Sequence, residues 1–261
     1  MPERAMPLLL QIKLFVARAI CHPVVGRLLS WTFSNRIPSR GCIIDTSSDL
    51  ITPEVKAYLF WRLYESAEIR FVSRYIRRDL DVIELGSSLG VVACQIRKRI
   101  NDSCKLVCVE ANAELAEITN LSLSINALNK SVFIISKAID YDSSGRNAVF
   151  LDERGGSLAG MIAYQQAEAW KLSTETTTLS EIIAENGIGD YVLVSDIEGA
   201  EAGMVLAEKE ALVSCKQLII ELHNTVVNGL VFDIEQTYEI LTKVHGFSLR
   251  DRYGPVCFFE R

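Results

Sequence analysis

Asp81-Val82-Ile83-Glu84-Leu85-Gly86-Ser87-Ser88-Leu89-Gly90 is the stretch whose reading decides the fold. Its apolar start predicts a buried strand, its glycines a turn, and Val91 onward a helix. Glycine admits backbone conformations and close approaches that a Cβ blocks, and the N-terminus of the following helix presents unsatisfied N–H groups. Further along, Lys105-Leu106-Val107-Cys108-Val109 predicts a second strand ending in Glu110, where a carboxylate can accept both hydroxyls of a ribose. The two features together are the signature of a nucleotide cofactor.

Glycine spacing separates the candidate cofactors. A dinucleotide fingerprint needs G-x-G-x-x-G, whose second glycine lets the backbone approach a pyrophosphate. Here the spacing is G-x-x-x-G, with Ser88 in the place of that glycine. Glu84 sets a negative charge before the turn, which suits a cation better than a pyrophosphate. S-adenosylmethionine (SAM) carries a sulfonium and an ammonium and no phosphate, so Glu84, Gly86, Ser87, Ser88, Leu89, Gly90 and Glu110 are the expected SAM-binding residues. No G-x-x-x-x-G-K-[ST] phosphate loop occurs.

With 261 residues, 49% of them hydrophobic and 23% charged, the chain can form one α/β domain with an appendage. A net charge of −6 argues against a dedicated nucleic-acid binder. Seven cysteines, at 21, 42, 94, 104, 108, 215 and 257, include no C-x-x-C pair. Buried free thiols in a reducing compartment are expected rather than disulfides or a metal site.

Before residue 45, Arg4, Lys13, Arg18, Arg27, Arg36 and Arg40 are opposed only by Glu3. Charges interrupt this apolar prelude too often for a transmembrane span, and no small-residue cleavage site follows a clean apolar core. A cytoplasmic protein is expected. Gln11, Arg18 and His22 share one stripe of a helix predicted to begin near Pro7. Such helices pack against the domain or a second subunit, or else touch an anionic membrane surface peripherally through residues 5–35.

Ile37-Pro38-Ser39-Arg40-Gly41 reads as a linker, and Pro53 to Arg77 has the apolar spacing of a helical lead-in. Residues 1–77 are thus a helical extension and 78–261 the main domain. Apolar runs then alternate with helical patterns, as in a parallel sheet with crossover helices. Residues 113–128 form a helix and Val132 to Ser136 a third strand. Residues 152–174 show no clean period and read as a lid or insertion, with Tyr164, Gln165, Gln166 and Trp170 able to face a substrate. Thr178 or Ser180 caps the next helix.

Tyr191-Val192-Leu193-Val194-Ser195 is a fourth strand running into Asp196-Ile197-Glu198-Gly199-Ala200-Glu201. A fifth, Gln217 to Ile220, runs into Glu221-Leu222-His223-Asn224. Ligands of open α/β sheets bind outside the carboxyl ends of the strands, so both acidic clusters should face the cofactor. Asp233 to Val244 is helical, and the last two strands form a hairpin around Tyr253-Gly254-Pro255.

Glu84 to Gly90, Val109-Glu110-Ala111-Asn112-Ala113, Thr178-Leu179-Ser180-Glu181, Asp196 to Glu201 and Ile220-Glu221-Leu222-His223 together resemble the FkbM-type SAM-dependent methyltransferases over roughly residues 64–252. Tyr64-Glu65 resembles the lead-in of that family more weakly. Glu84 stands for the family's usual aspartate, Ser88 for a frequent asparagine, Ala111 and Ala113 for prolines, and Val194 for a lysine. The resemblance implies a Rossmann-like class I methyltransferase fold with a mostly parallel seven-stranded sheet and a C-terminal antiparallel hairpin. It also implies that Ala111 and Asn112 join Glu110 in binding SAM, and that the methyl goes to an oxygen, commonly a hydroxyl of a sugar in a polysaccharide or of a natural product.

Asp196, Glu198 and His223 are the catalytic candidates. A hydroxyl is a poor nucleophile until its proton leaves, and His223 has a suitable reference pKa near 6.5. Asp196 can serve if burial beside Glu198 raises its pKa. Alternatively, Asp196, Glu198 and Glu221 hold a divalent cation such as Mg2+, which is not the favoured reading. The expected partners are a small-molecule or glycan acceptor and a second copy of the chain. A SAM-binding scaffold without catalysis is the competing class, and an NAD-dependent oxidoreductase is disfavoured by the glycine spacing.

Overall fold

The computed structural model of the chain describes residues 20–141, 147–152, 161–162, 170–197, 199–227 and 229–261. The chain divides into two compact units, one ending at Tyr64 and one beginning at Glu65.

In the first unit, α1 spans Pro23–Phe33 and is capped by His22, whose Nδ1 accepts the Val24 N–H at 3.3 Å. Proline at the first helical position suits a site whose N–H has no helical partner. His22 has extended backbone, so it ends rather than continues the stripe expected from Pro7 onward. The rest of that predicted helix lies outside the described residues. β1 (Arg36–Ser39) and β2 (Cys42–Asp45) pair antiparallel. The expected linker at 37–41 is therefore a hairpin, and its turn residues Arg40 and Gly41 both have positive φ, as a tight two-residue turn requires. α2 covers Pro53–Phe60, with Thr52 as N-cap.

The second unit starts with α3 (Ser66–Tyr75). The single helix expected over 53–77 is thus two, separated by left-handed Arg62 and Glu65, and the boundary expected after residue 77 falls after 64. Apolar spacing runs through the break and hides it, because neither Arg62 nor Glu65 is a residue type that announces a left-handed backbone.

β3 (Asp81–Leu85), α4 (Val91–Arg99), β4 (Leu106–Val109), α5 (Ala113–Ile125) and β5 (Val132–Ile135) follow as the alternation predicts. β6 (Ala138–Ile139), β7 (Asn147–Asp152), β8 (Met161–Ile162) and β9 (Trp170–Thr177) form a separate four-stranded sheet in the order β6-β9-β7-β8. The expected insertion at 152–174 is accordingly bordered and crossed by strands. Residues 153–160 and 163–169, with Tyr164, Gln165 and Gln166, lie outside the described residues.

α6 (Leu179–Asn186) opens with a capping box of Thr178 and Glu181, so Thr178 rather than Ser180 is the cap. β10 (Tyr191–Ser195), α7 (Glu201–Ala207), α8 (Lys209–Ser214) and β11 (Cys215–Glu221) come next. A small β12–β13 hairpin (Thr225–Val227, Leu230–Phe232) precedes α9 (Ile234–Glu239). The helix predicted over 233–244 changes to π-helical winding at Ile240–Val244. β14 (Ser248–Tyr253) and β15 (Val256–Glu260) close the chain.

The main sheet has the order β14-β15-β11-β10-β3-β4-β5. β11, β10, β3, β4 and β5 are mutually parallel, and β15 runs antiparallel to both β11 and β14. This is the expected Rossmann-like, seven-stranded methyltransferase sheet with a terminal antiparallel hairpin. The chain proceeds outward from β3 through β4 and β5, then returns to build β10 and β11 on the other side, so the switch point lies between β3 and β10.

Alternation along the strands sorts the two faces. Ile83, Leu85, Val107, Val109, Leu193, Leu218 and Ile220 belong to one large core with Leu179, Ile182, Met204, Leu212 and Leu241. Ile219 pairs with Phe258 on the neighbouring strand, and the Tyr75 ring of α3 stacks on Phe258 with centroids 4.4 Å apart. All seven cysteines are buried and none is in a disulfide. No helix of the described residues is long and apolar enough to cross a membrane.

Candidate active site

The carboxyl ends of β3, β4, β10 and β11 bring the sequence motifs together. Beyond β3 the ladder continues into the turn, where Gly86 and Ser87 donate backbone N–H groups to the Val109 carbonyl at 2.8 and 3.2 Å, and Asp196 donates to the Leu85 carbonyl at 2.9 Å. Gly86 has φ of +83°, and a Cβ there would collide with the Asp196 carbonyl oxygen. Gly90 has φ of +74°, and a Cβ there would press on the Thr119 backbone. Both glycines are thus required by conformation and by space.

Ser88, where a dinucleotide fold would have glycine, also takes the left-handed conformation. Its backbone is held at both ends: the N–H donates to Glu110 Oε2 at 2.8 Å, and the carbonyl accepts Thr119 Oγ1–H at 2.9 Å. Glu110 accepts the Asn112 N–H on its other oxygen at 3.0 Å. Burial pushes the Glu110 carboxyl up, and the Asn112, Ser88 and Ala111 amides pull it back.

The other predicted cofactor residues mostly build the loop from beneath. Glu84 is buried, accepts the Cys108 Sγ–H at 3.3 Å and the Ala93 N–H of the first turn of α4, and is pushed up to about 8 by burial. It supports the helix start rather than lining an open surface, a correction to the placement expected before the turn. Leu89 is packed in the core, and Ser87 Oγ lies 3.3 Å from Thr119 Oγ1. The Asn112 side chain is spent as the N-cap of α5, accepting the Glu114 N–H at 2.9 Å. Ala111 is buried beside it.

At the β10 and β11 ends, Asp196, Glu221 and His223 place one ligand-capable atom each within 4.8 Å of one another. His223 Nδ1 lies 3.0 Å from Glu201 Oε1, and Nε2 lies 3.5 Å from Glu221 Oε1. Glu201, fully buried at the first position of α7, also accepts the Gly199 N–H at 2.9 Å. As the imidazolium, His223 donates Nδ1–H to Glu201 and Nε2–H toward Glu221; as the neutral Nδ1–H tautomer it keeps the Glu201 bond and leaves Nε2 open to accept a proton. Glu198, the third catalytic candidate, lies outside the described residues.

Glu68 of α3 joins this group without having been singled out in the sequence. It is buried and hydrogen-bonded to Glu221; burial and the neighbouring Glu221 charge push it up to about 7. Hydrogen bonds from His223 and Glu68 hold Glu221 below the usual carboxylate range. A signal existed in the spacing, because Glu68 shares the buried face of α3 with Phe71 and Val72, three and four residues on. Glu201 was part of the acidic motif but not separated from it.

The groups acting on Glu110 are backbone amides, and those acting on Glu221 are His223 and Glu68, with no lysine or arginine among them. A loop that needs two positive-φ glycines and is tied to the Glu110 carboxylate has the form expected for the cationic adenosyl cofactor. Two carboxylates and an imidazole also form a donor set suited to a divalent cation.

No family model matches the chain, and no curated protein matches it. Solved structures do. A SAM-dependent methyltransferase from Aquifex aeolicus aligns over 74% of this chain and 87% of that one, at 10% identity and a TM-score of 0.39. A protein of the NADB-Rossmann superfamily from Streptococcus agalactiae aligns over 76% and 68%, at 9% identity and a TM-score of 0.42. A protein from Klebsiella pneumoniae provisionally named an O-methyltransferase aligns over 96% of each chain, at 11% identity and a TM-score of 0.44. The likeness at these identities is one of fold.

Proposed function

We propose that the chain is a SAM-dependent methyltransferase of the FkbM type that acts on a hydroxyl oxygen, with a sugar or a natural product as acceptor. The observation that carries this reading is His223, oriented by buried Glu201 and set beside Glu221 and Asp196 at the strand ends adjoining the glycine turn. The acceptor class follows from the sequence resemblance carried by Asp196 to Glu201 and Ile220 to His223.

SAM, when bound, supplies a methyl group already activated on a sulfonium. The chain has two tasks left, holding the partners in line and taking a proton. The turn at Gly86–Gly90 with Glu110 performs the first, since fixed orientation replaces a bimolecular encounter. His223 performs the second. Its Nε2 receives the hydroxyl proton, and the imidazolium so formed is stabilised by Glu201 on Nδ1 and by Glu221 at Nε2. Asp196, within 4.8 Å of the ligand atoms of Glu221 and His223, would orient the hydroxyl.

The same three side chains support a second reading, in which Asp196, Glu221 and His223 hold a divalent cation that acidifies the hydroxyl. Calorimetric titration with SAM, S-adenosylhomocysteine and NAD, each with and without magnesium, tests the cofactor. Micromolar binding of the two adenosyl sulfur compounds and none of NAD supports the reading; binding of NAD alone sinks it. Turnover on polyol acceptors then separates an enzyme from a SAM-binding scaffold, and loss of turnover in chelator separates the metal from the direct base.

A further inference from the structure

Helix α1 is apolar on two opposite sides. Gly26 and Leu29 are buried toward α2, in the unit the two helices share. On the far side of the helix, Val24, Leu28 and Trp31 fall at positions i, i+4 and i+7 and form one stripe. They are 60%, 59% and 81% exposed. The one charge of the helix, Arg27, is exposed on the flank of that stripe, and Arg36 is exposed just beyond its end. Over residues 20–64 the unit carries Arg27, Arg36, Arg40, Lys56 and Arg62 against Asp45, Asp49 and Glu54, a net positive balance.

We propose that Val24, Leu28 and Trp31 seat α1 in the surface of an anionic lipid bilayer, with Arg27 and Arg36 against the headgroups. An indole exposed to this degree is at home where its ring is buried and its N–H stays wet, which is the membrane–water interface. At 11 residues α1 is about 16 Å long. It is too short to span a bilayer and the right form to lie in its interface.

Charge chooses among the occupants of the stripe. A second copy packed isologously would set the same surface, with its Arg27 and Arg36, against itself. Residues 1–19 carry Arg4, Lys13 and Arg18 against Glu3, so they match the arginines in sign. An anionic surface is complementary to both, even though the whole chain is acidic at −6.

Flotation of the full chain with vesicles of phosphatidylcholine, alone or with roughly one-third phosphatidylglycerol, tests this without reference to the cofactor. Wild-type protein should float with the anionic vesicles and not with the neutral ones. The Leu28→Ser, Trp31→Ser double variant should lose about tenfold or more of that binding. Arg27→Gln and Arg36→Gln should each lose about fivefold. Circular dichroism melting should be unchanged in all of them, because the side chains are exposed. If the serine variant misfolds, the arginine pair decides. Flotation unaffected by either set, or equal on neutral and anionic vesicles, overturns the proposal. So does a wild-type dimer that Trp31→Ser dissolves, which would assign the stripe to a second copy.

Discussion

The Glu110 carboxylate accepts the Ser88 backbone N–H at 2.8 Å, which ties the end of β4 to the glycine turn after β3. The carboxylate proposed to receive a ribose therefore also sets the shape of the glycine turn.

Glu110→Ala should weaken SAM binding by about ten- to a hundredfold, the range expected for hydrogen bonds to a charged group. Glu110→Gln, which keeps one acceptor oxygen, should lose less. Calorimetry on both variants checks the order; equal affinities in alanine variant and wild type would remove Glu110 from the site.

Gly86→Val should abolish SAM binding while leaving a folded protein of lower Tm. Positive φ costs a β-branched residue about 1–3 kcal/mol, and the new Cβ meets the Asp196 carbonyl. The comparison is SAM affinity beside a thermal melt, and undiminished affinity would rule out this turn as the cofactor site.

His223→Gln should lower kcat by about a hundredfold or more and leave SAM affinity nearly unchanged, because a general base contributes to the chemical step alone. Asp196→Ala should likewise impair turnover more than binding. Steady-state kinetics with calorimetry separates the two effects, and a His223→Gln enzyme with normal kcat would dismiss it as base.

Stability should fall as pH rises from about 4.5 toward 8, through Glu84. Burial holds its folded pKa at about 8, so over that interval the folded chain keeps a proton that the unfolded chain has released. The contribution is fully present below the unfolded pKa and lost as pH passes the folded one. Glu84→Gln, neutral throughout, should flatten this part of the profile of Tm against pH; a slope identical to wild type would contradict the assignment.

Thr178→Ala should cost about 1 kcal/mol by opening the capping box of α6. SAM affinity should not change, since α6 starts away from the glycine turn in sequence and supplies none of the site's side chains. Chemical denaturation gives the first quantity and calorimetry the second.

The strands, the glycine turn and the strand-end acids were legible in the sequence because each is a local property. Buried strands read as apolar runs, Gly86 and Gly90 mark a backbone that other residues resist, and Glu110, Asp196 and Glu221 each end such a run. The hairpin at 36–45 and the break at 62–65 were not legible, because Arg40, Arg62 and Glu65 take left-handed backbone that their side chains do not announce. Only the tertiary structure decided that Glu68, Glu201, Glu221, Asp196 and His223 share one place. Strand order sets β10 and β11 side by side and α3 packs against β11, so residues as far apart in the chain as Glu68 and His223 come within reach of Glu221. The face of α1 left uncovered was settled the same way. Its apolar residues lie on two opposite sides of the helix, and packing on α2 chose which of them to bury.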